Sequence, residues 1–79
     1  MGDIVGVHEP FVIRAEELVK KALYEQGADI EIVGQEGIRV FATQAASLYD
    51  HAIDADEFSH LITTNARARD AWSILLACG

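Results

Sequence analysis

Carboxylate and imidazole side chains are concentrated in one stretch, residues 50–60. Transition metals accept imidazole nitrogens and carboxylate oxygens together, so a metal site is one interpretation of this stretch. His51 and Asp54 are three residues apart, a spacing that can bring both side chains to one face of a helix. The stretch matches no established ligand spacing, and helix capping accounts for its acids, so we predict no metal. The candidate ligands are Asp50, His51, Asp54, Asp56, Glu57 and His60.

Two further features could indicate catalysis or cofactor binding. Cys78 follows an apolar run, Ile74–Ala77, whereas a reactive thiol needs an electropositive, partly exposed environment. The segment Gly34–Gly37 has glycines at both ends, but Glu36 would lie where a phosphate-binding loop holds its anion. We therefore predict a packed or frayed thiol, a turn, and no catalytic residue or cofactor.

The charge of the chain is strongly asymmetric. Thirteen acids against six lysines and arginines give a formal net charge of −7, and residues 22–66 hold eight of the acids but only one base, Arg39. Such a field repels nucleic acid and anionic membranes and attracts basic protein surfaces. Arg67 and Arg69 beside Asp70 are too few to form a nucleic-acid-binding patch. A small domain also needs net charge for solubility, and this alternative remains open.

Length and composition are typical of one small globular domain spanning residues 1–79. Hydrophobic residues make up 51% of the chain, and neither a repeat nor a low-complexity segment is visible. A single cysteine excludes an internal disulfide. No apolar run approaches the roughly 20 residues that span a bilayer, and the beginning of the sequence lacks a signal-peptide pattern. We expect a soluble, cytoplasmic protein.

The first predicted element is a helix over about residues 11–26. Apolar residues recur there at spacings of three and four. Pro10 suits the first turn of a helix, and Gly27 suits a left-handed C-terminal cap. The second choice is a strand at residues 11–13, and residues 4–7 could form a short N-terminal strand.

Residues 29–33 and 38–42 alternate apolar and polar side chains around a glycine-containing loop, which predicts a β-hairpin. A three-residue loop, with Gly37 in a bulge, gives one apolar face and places Phe41 on the opposite, exposed face. An apolar ring there could contact a partner, unless another helix covers that face. The facing pairs are Ile30 with Val40, Ile32 with Ile38, and Glu31 with Arg39.

The remainder of the chain predicts helices. Thr43 is a candidate N-cap for a second helix that ends near Ile53. Asp54 and Glu57 have the spacing of a capping box for the next helix. Residues 55–77 form either one helix or two, with a possible break at residues 63–65. The predicted fold is therefore α+β, in the order αββαα.

These features favour a non-enzymatic module that binds a protein with a basic surface. In size and acidity alone the chain resembles the small inhibitors encoded by phages and mobile elements, including anti-CRISPR proteins. That resemblance implies an inhibitor or regulator that occludes a nucleic-acid-binding surface, without direct contact to nucleic acid or membrane. The alternative is a homo-oligomeric assembly subunit, in the simplest case a homodimer, that uses its apolar C-terminal helix and the hairpin edge. The predicted partner-binding residues are Glu31, Glu36, Phe41, Asp50, Asp54, Asp56 and Glu57.

Overall fold

The computed structural model describes residues 9–78, and all regular structure in that range is helical. The predicted α+β class is wrong, because no strand occurs among these residues. The five helices are α1 (Glu9–Glu25), α2 (Ile30–Val33), α3 (Gln35–Ala46), α4 (Ala55–Thr64) and α5 (Ala66–Cys78).

The N-terminal helix is confirmed as α1, and the alternative strand at residues 11–13 is wrong. The helix ends as its sequence predicts, with Gly27 at a φ of +81°. The Gly27 N–H donates to the Tyr24 carbonyl, and the Ala28 N–H donates to the Leu23 carbonyl. These two bonds form a Schellman motif, which satisfies carbonyls at the helix end. The proposed strand at residues 4–7 lies outside the described residues.

The predicted β-hairpin is replaced by α2 and most of α3. The Asp29 side chain caps α2 by accepting a hydrogen bond from the Glu31 N–H at 2.9 Å. Gly34, with a φ of +90°, turns the chain into α3. The residues between Gln35 and Ala46 also present apolar side chains at helical spacing, and this stripe is the face that α3 buries. Its buried positions are Ile38, Phe41, Ala42, Ala45 and Ala46.

Gly37, predicted to form a bulge, lies inside α3, and positive φ occurs only at Gly27 and Gly34 among the described residues. A Cβ atom at Gly37 would lie 3.5 Å from Leu75 Cδ2, an ordinary contact. Gly37 therefore faces Leu75 of α5 with room for a Cβ atom between them.

The predicted second helix, from about Thr43 to Ile53, is also wrong. Thr43 lies inside α3, and residues 47–54 form a loop. The chain forms a tight turn after α3, in which the Leu48 and Tyr49 N–H groups each donate a hydrogen bond to a carbonyl three residues earlier. The buried side chain of Ile53 anchors the loop in the core.

Residues 55–78 form two helices that are separated at Asn65. The Asn65 N–H donates to the Leu61 carbonyl, and its side-chain oxygen accepts from the Ala68 N–H at 3.0 Å. Asn65 thus ends α4 and caps α5. The capping box predicted at Asp54 and Glu57 is confirmed at the start of α4.

A cluster of aromatic rings joins α3, α4 and α5. The ring centroids of Phe41 and Trp72 are 5.5 Å apart, and that of Phe58 lies 5.6 Å from Trp72 and 6.1 Å from Phe41. On another side, Arg39 of α3 pairs with Glu9 and Glu16 of α1. The rings and the ion pairs together connect α1, α4 and α5 to α3.

Candidate functional site

The acidic loop, defined here as Asp50, Asp54, Asp56 and Glu57, connects α3 to the first turn of α4. Asp54 Oδ1 accepts from the Glu57 N–H at 2.8 Å, and Glu57 Oε1 accepts from the Asp54 N–H at 3.1 Å. These reciprocal bonds fix two of the four carboxylates. The side chains of Asp50 and Asp56 are exposed. The structure therefore brings together four of the seven predicted partner-binding residues.

His51 links the two parts of this loop. Its Nδ1 lies 3.2 Å from Asp50 Oδ1 and its Nε2 lies 2.8 Å from Glu57 Oε2, and the protonated ring donates to both carboxylates. The hydrogen bond to Glu57, followed by that to Asp50, raises the pKa of His51. The hydrogen bond between His51 and Asp50 also lowers the pKa of Asp50. Tyr49 packs its ring on His51, and its own pKa is raised, mainly by burial and then by the charge of Glu57.

These contacts make the stability of the loop depend on pH. The pKa of His51 is higher in the folded chain than its ordinary value of about 6.5, so protonated His51 stabilises the fold fully below about pH 6.5. That contribution disappears as the pH rises through the folded-state pKa. We expect the free energy of unfolding, measured by urea titration from pH 5.5 to 9, to fall across this range.

A Glu57→Gln variant is the matched test of this dependence. Glutamine preserves the capping box but removes the negative charge that faces His51. The decline with pH should become shallower in Glu57→Gln and shallower still in His51→Gln. Equal slopes in all three proteins would contradict the contribution of His51. Asp50 does not confound this range, because a lowered carboxylate pKa acts at lower pH.

Glu31 and Glu36 do not join the acidic loop. Glu31 lies in α2 and Glu36 in the first turn of α3. The acidic loop follows the other end of α3, a 12-residue helix whose length is about 18 Å. The predicted acidic surface is therefore divided into two groups at opposite ends of α3.

Phe41 is not an exposed contact residue. It is 4% exposed and lies in the aromatic cluster. The hairpin register had placed it on an outer face, whereas the helical period of α3 turns it toward α5. Phe41 therefore stabilises the core, and it is not a candidate for contact with a partner.

The described residues contain no group of three or more histidine, cysteine, aspartate or glutamate side chains that could hold a metal ion. His51 belongs to a loop, so it does not share a helical face with Asp54. His60 is exposed on α4, and Cys78 is exposed at the end of α5. Gly34 and Gly37 belong to a helix junction and a helix, and they form no phosphate-binding loop.

An apolar groove between α3 and α5 was missed by the sequence analysis. It consists of two adjoining depressions of about 390 Å³ and 630 Å³, which share Phe41 and Gln44 as lining residues. The rim carries three large hydrophobic side chains that are more than half exposed, namely Val40, Leu48 and Ile74. The predicted hairpin had assigned Val40 to its apolar, buried face. Reading residues 36–48 with helical spacing would have revealed the row Glu36, Val40, Gln44 and Leu48.

No protein-family model matches the chain, and neither a curated protein nor a solved structure is significantly similar to it. Among the helices described, none combines the length and the apolar character that crossing a bilayer requires.

Proposed function

We propose that this chain is a non-enzymatic protein-binding module that uses the acidic loop to occlude a basic, nucleic-acid-binding surface of a partner protein. The observation that carries the proposal is the arrangement of the loop's carboxylates. The capping box and His51 hold Asp50, Asp54 and Glu57 in place, and Asp56 is exposed in the same first turn of α4. Within residues 9–78, no lysine or arginine lies within ion-pair distance of any of them.

The distribution of positive charge supports this choice. Arg39 is paired with Glu9 and Glu16, and Arg14 is paired with Glu17, so both cations are partly neutralised away from the acidic loop. Neither of these two cations offsets the negative field of the loop's carboxylates. A field of this sign increases the rate of encounter with a basic surface, and salt screens it.

Preorganisation is the second argument. Carboxylates that replace phosphates on a partner must be presented without a large loss of conformational entropy on binding. The loop is anchored by the buried Ile53 on one side and by the first turn of α4 on the other. In this proposal the protein acts in the cytoplasm, as the inhibitors of phages and mobile elements that it resembles in size and acidity do.

The test reverses two loop charges that have no part in the capping box, Asp50→Lys and Asp56→Lys. The control, Glu25→Lys with Asp70→Lys, changes the net charge equally at exposed positions on α1 and α5. Tagged wild-type protein should capture a basic, nucleic-acid-binding protein from lysate at low salt. The nucleic acid that this partner binds should compete with the capture when it is added. The loop variant should bind this partner at least about tenfold more weakly, and the control should stay within about threefold.

Circular dichroism must show that both variants fold. Equal affinity of the loop variant and the control would refute the role of the acidic loop. Retention of the partner at high salt, without competition by nucleic acid, would refute an electrostatic mechanism.

The alternative function, a homo-oligomeric assembly subunit, was partly based on a hairpin edge that does not exist among the described residues. Its other basis was the apolar C-terminal helix. Ile74 of α5 remains exposed, so this part of the alternative rests on a different surface from the acidic loop.

A further inference from the structure

The two ends of the α3–α5 groove are different, because different parts of α3 and α5 meet at each end. At one end, Glu36 and Gly37 of α3 line the same depression as Ile74 and Leu75 of α5. At the other end, Ala45 and Leu48 line the second depression together with Arg67 and Ala68. The two helices therefore run antiparallel along the groove.

Each end combines an exposed hydrophobic side chain with an exposed charge. One end carries Ile74 with Glu36, and the other carries Leu48 with Arg67. Glu36 and Arg67 have no ion-pair partner within 4.0 Å among residues 9–78. Gln44, which lines both depressions, lies between the two ends.

We propose that this groove is the interface of a two-fold symmetric homodimer. A two-fold interface requires one surface to be complementary to itself when turned end to end. Turning this groove end to end brings the end that carries Ile74 and Glu36 onto the end of the partner subunit's groove that carries Leu48 and Arg67. An acid and a base then meet at each end of the interface, with Gln44 near the symmetry axis.

Charge complementarity selects a second copy of this chain as the occupant. An unrelated helix could cover the hydrophobic rim, but it would need its own acid and base at matching positions. A second copy supplies both of them, in the reversed order that the symmetry demands. Association also covers the exposed apolar side chains of the groove, and burial of apolar surface is the main source of binding energy at such interfaces.

The first test is the oligomeric state of the full chain, measured by sedimentation equilibrium from micromolar to millimolar concentration. The wild-type protein should form dimers, and Ile74→Lys should raise the dimer dissociation constant at least about 100-fold, since each subunit would bury a lysine in the interface. Ile32→Lys is the matched control, because Ile32 is 64% exposed, Ile74 is 65% exposed, and Ile32 lines neither depression. The control should leave the dissociation constant within about threefold.

The second test is a charge swap. Glu36→Arg alone and Arg67→Glu alone should each weaken the dimer about tenfold, because each places two like-charged pairs across the interface. The double variant should restore the wild-type constant to within about threefold.

A monomeric wild-type protein at all concentrations would overturn the proposal. It would also be overturned by equal effects of Ile74→Lys and Ile32→Lys, or by a double variant no better than its parents. All variants are checked for folding by circular dichroism. Since these measurements use the purified chain without any partner, their failure is distinguishable from failure of the function proposed for the acidic loop.

Discussion

Replacing Phe41 with alanine is expected to remove about 3–5 kcal/mol from the free energy of unfolding, because a fully packed ring is lost and a cavity remains. Phe41 is 4% exposed and contacts the rings of both Phe58 and Trp72. A chain of 79 residues has a total stability of about 4–12 kcal/mol. The variant should therefore lose about a quarter or more of this stability.

Guanidinium titration followed by circular dichroism measures this loss. Val40→Ala is the control, since Val40 is the neighbouring residue in α3 and is 54% exposed. It should change the stability by less than about 1 kcal/mol. A loss below 1 kcal/mol in Phe41→Ala would contradict the packing of the aromatic cluster. The same outcome would favour the hairpin register, in which Phe41 lies on an outer face.

Local signals in the sequence were sufficient for the helix ends. Gly27 predicted the left-handed cap of α1, and Asp54 with Glu57 predicted the capping box of α4, because such motifs depend on residues within one turn of each other. The sequence left open whether residues 55–77 form one helix or two, and the structure separates two helices at Asn65.

The hairpin failed because two periods fit the same residues. Alternation over residues 29–33 and 38–42 satisfies the two-residue period of a strand, while Ile38, Phe41 and Ala45 also satisfy the helical period. Which period prevails depends on tertiary packing, here of α3 against α1 and the aromatic cluster. Short apolar runs do not contain that information.

At the candidate sites, too, the sequence predicted the local features and not those that depend on tertiary packing. The carboxylates of the acidic loop could be predicted because they are adjacent in sequence. The α3–α5 groove could not, since it joins Leu48 to Arg67 and Glu36 to Ile74, residues that are far apart in the sequence. The predicted hairpin pairs Arg39 with Glu31, but the structure pairs Arg39 with Glu16, 23 residues away.

The contact between Arg39 and Glu16 is the basis of the second prediction with a large expected effect on stability. Arg39 Nη1 donates to Glu16 Oε2 at 3.0 Å, and the Glu16 side chain is only 11% exposed. Arg39 Nη2 donates to both carboxylate oxygens of Glu9 at 2.8 Å. These bonds, first of all that to Glu9, raise the pKa of Arg39, so the guanidinium stays charged. Arg39 therefore holds α3 to α1 through one exposed and one nearly buried carboxylate.

Arg39→Ala is expected to lower the free energy of unfolding by more than the loss of an exposed ion pair does, because it leaves the Glu16 carboxylate nearly buried without its partner. Glu9→Ala should cost less than about 1 kcal/mol, since exposed ion pairs contribute little. Chemical denaturation of the single variants and of Arg39→Met combined with Glu16→Leu separates the two carboxylates. The apolar double variant should recover most of the loss, because an unpaired charge is no longer buried. A Glu9→Ala loss as large as that of Arg39→Ala would instead assign the stabilisation to the exposed pair.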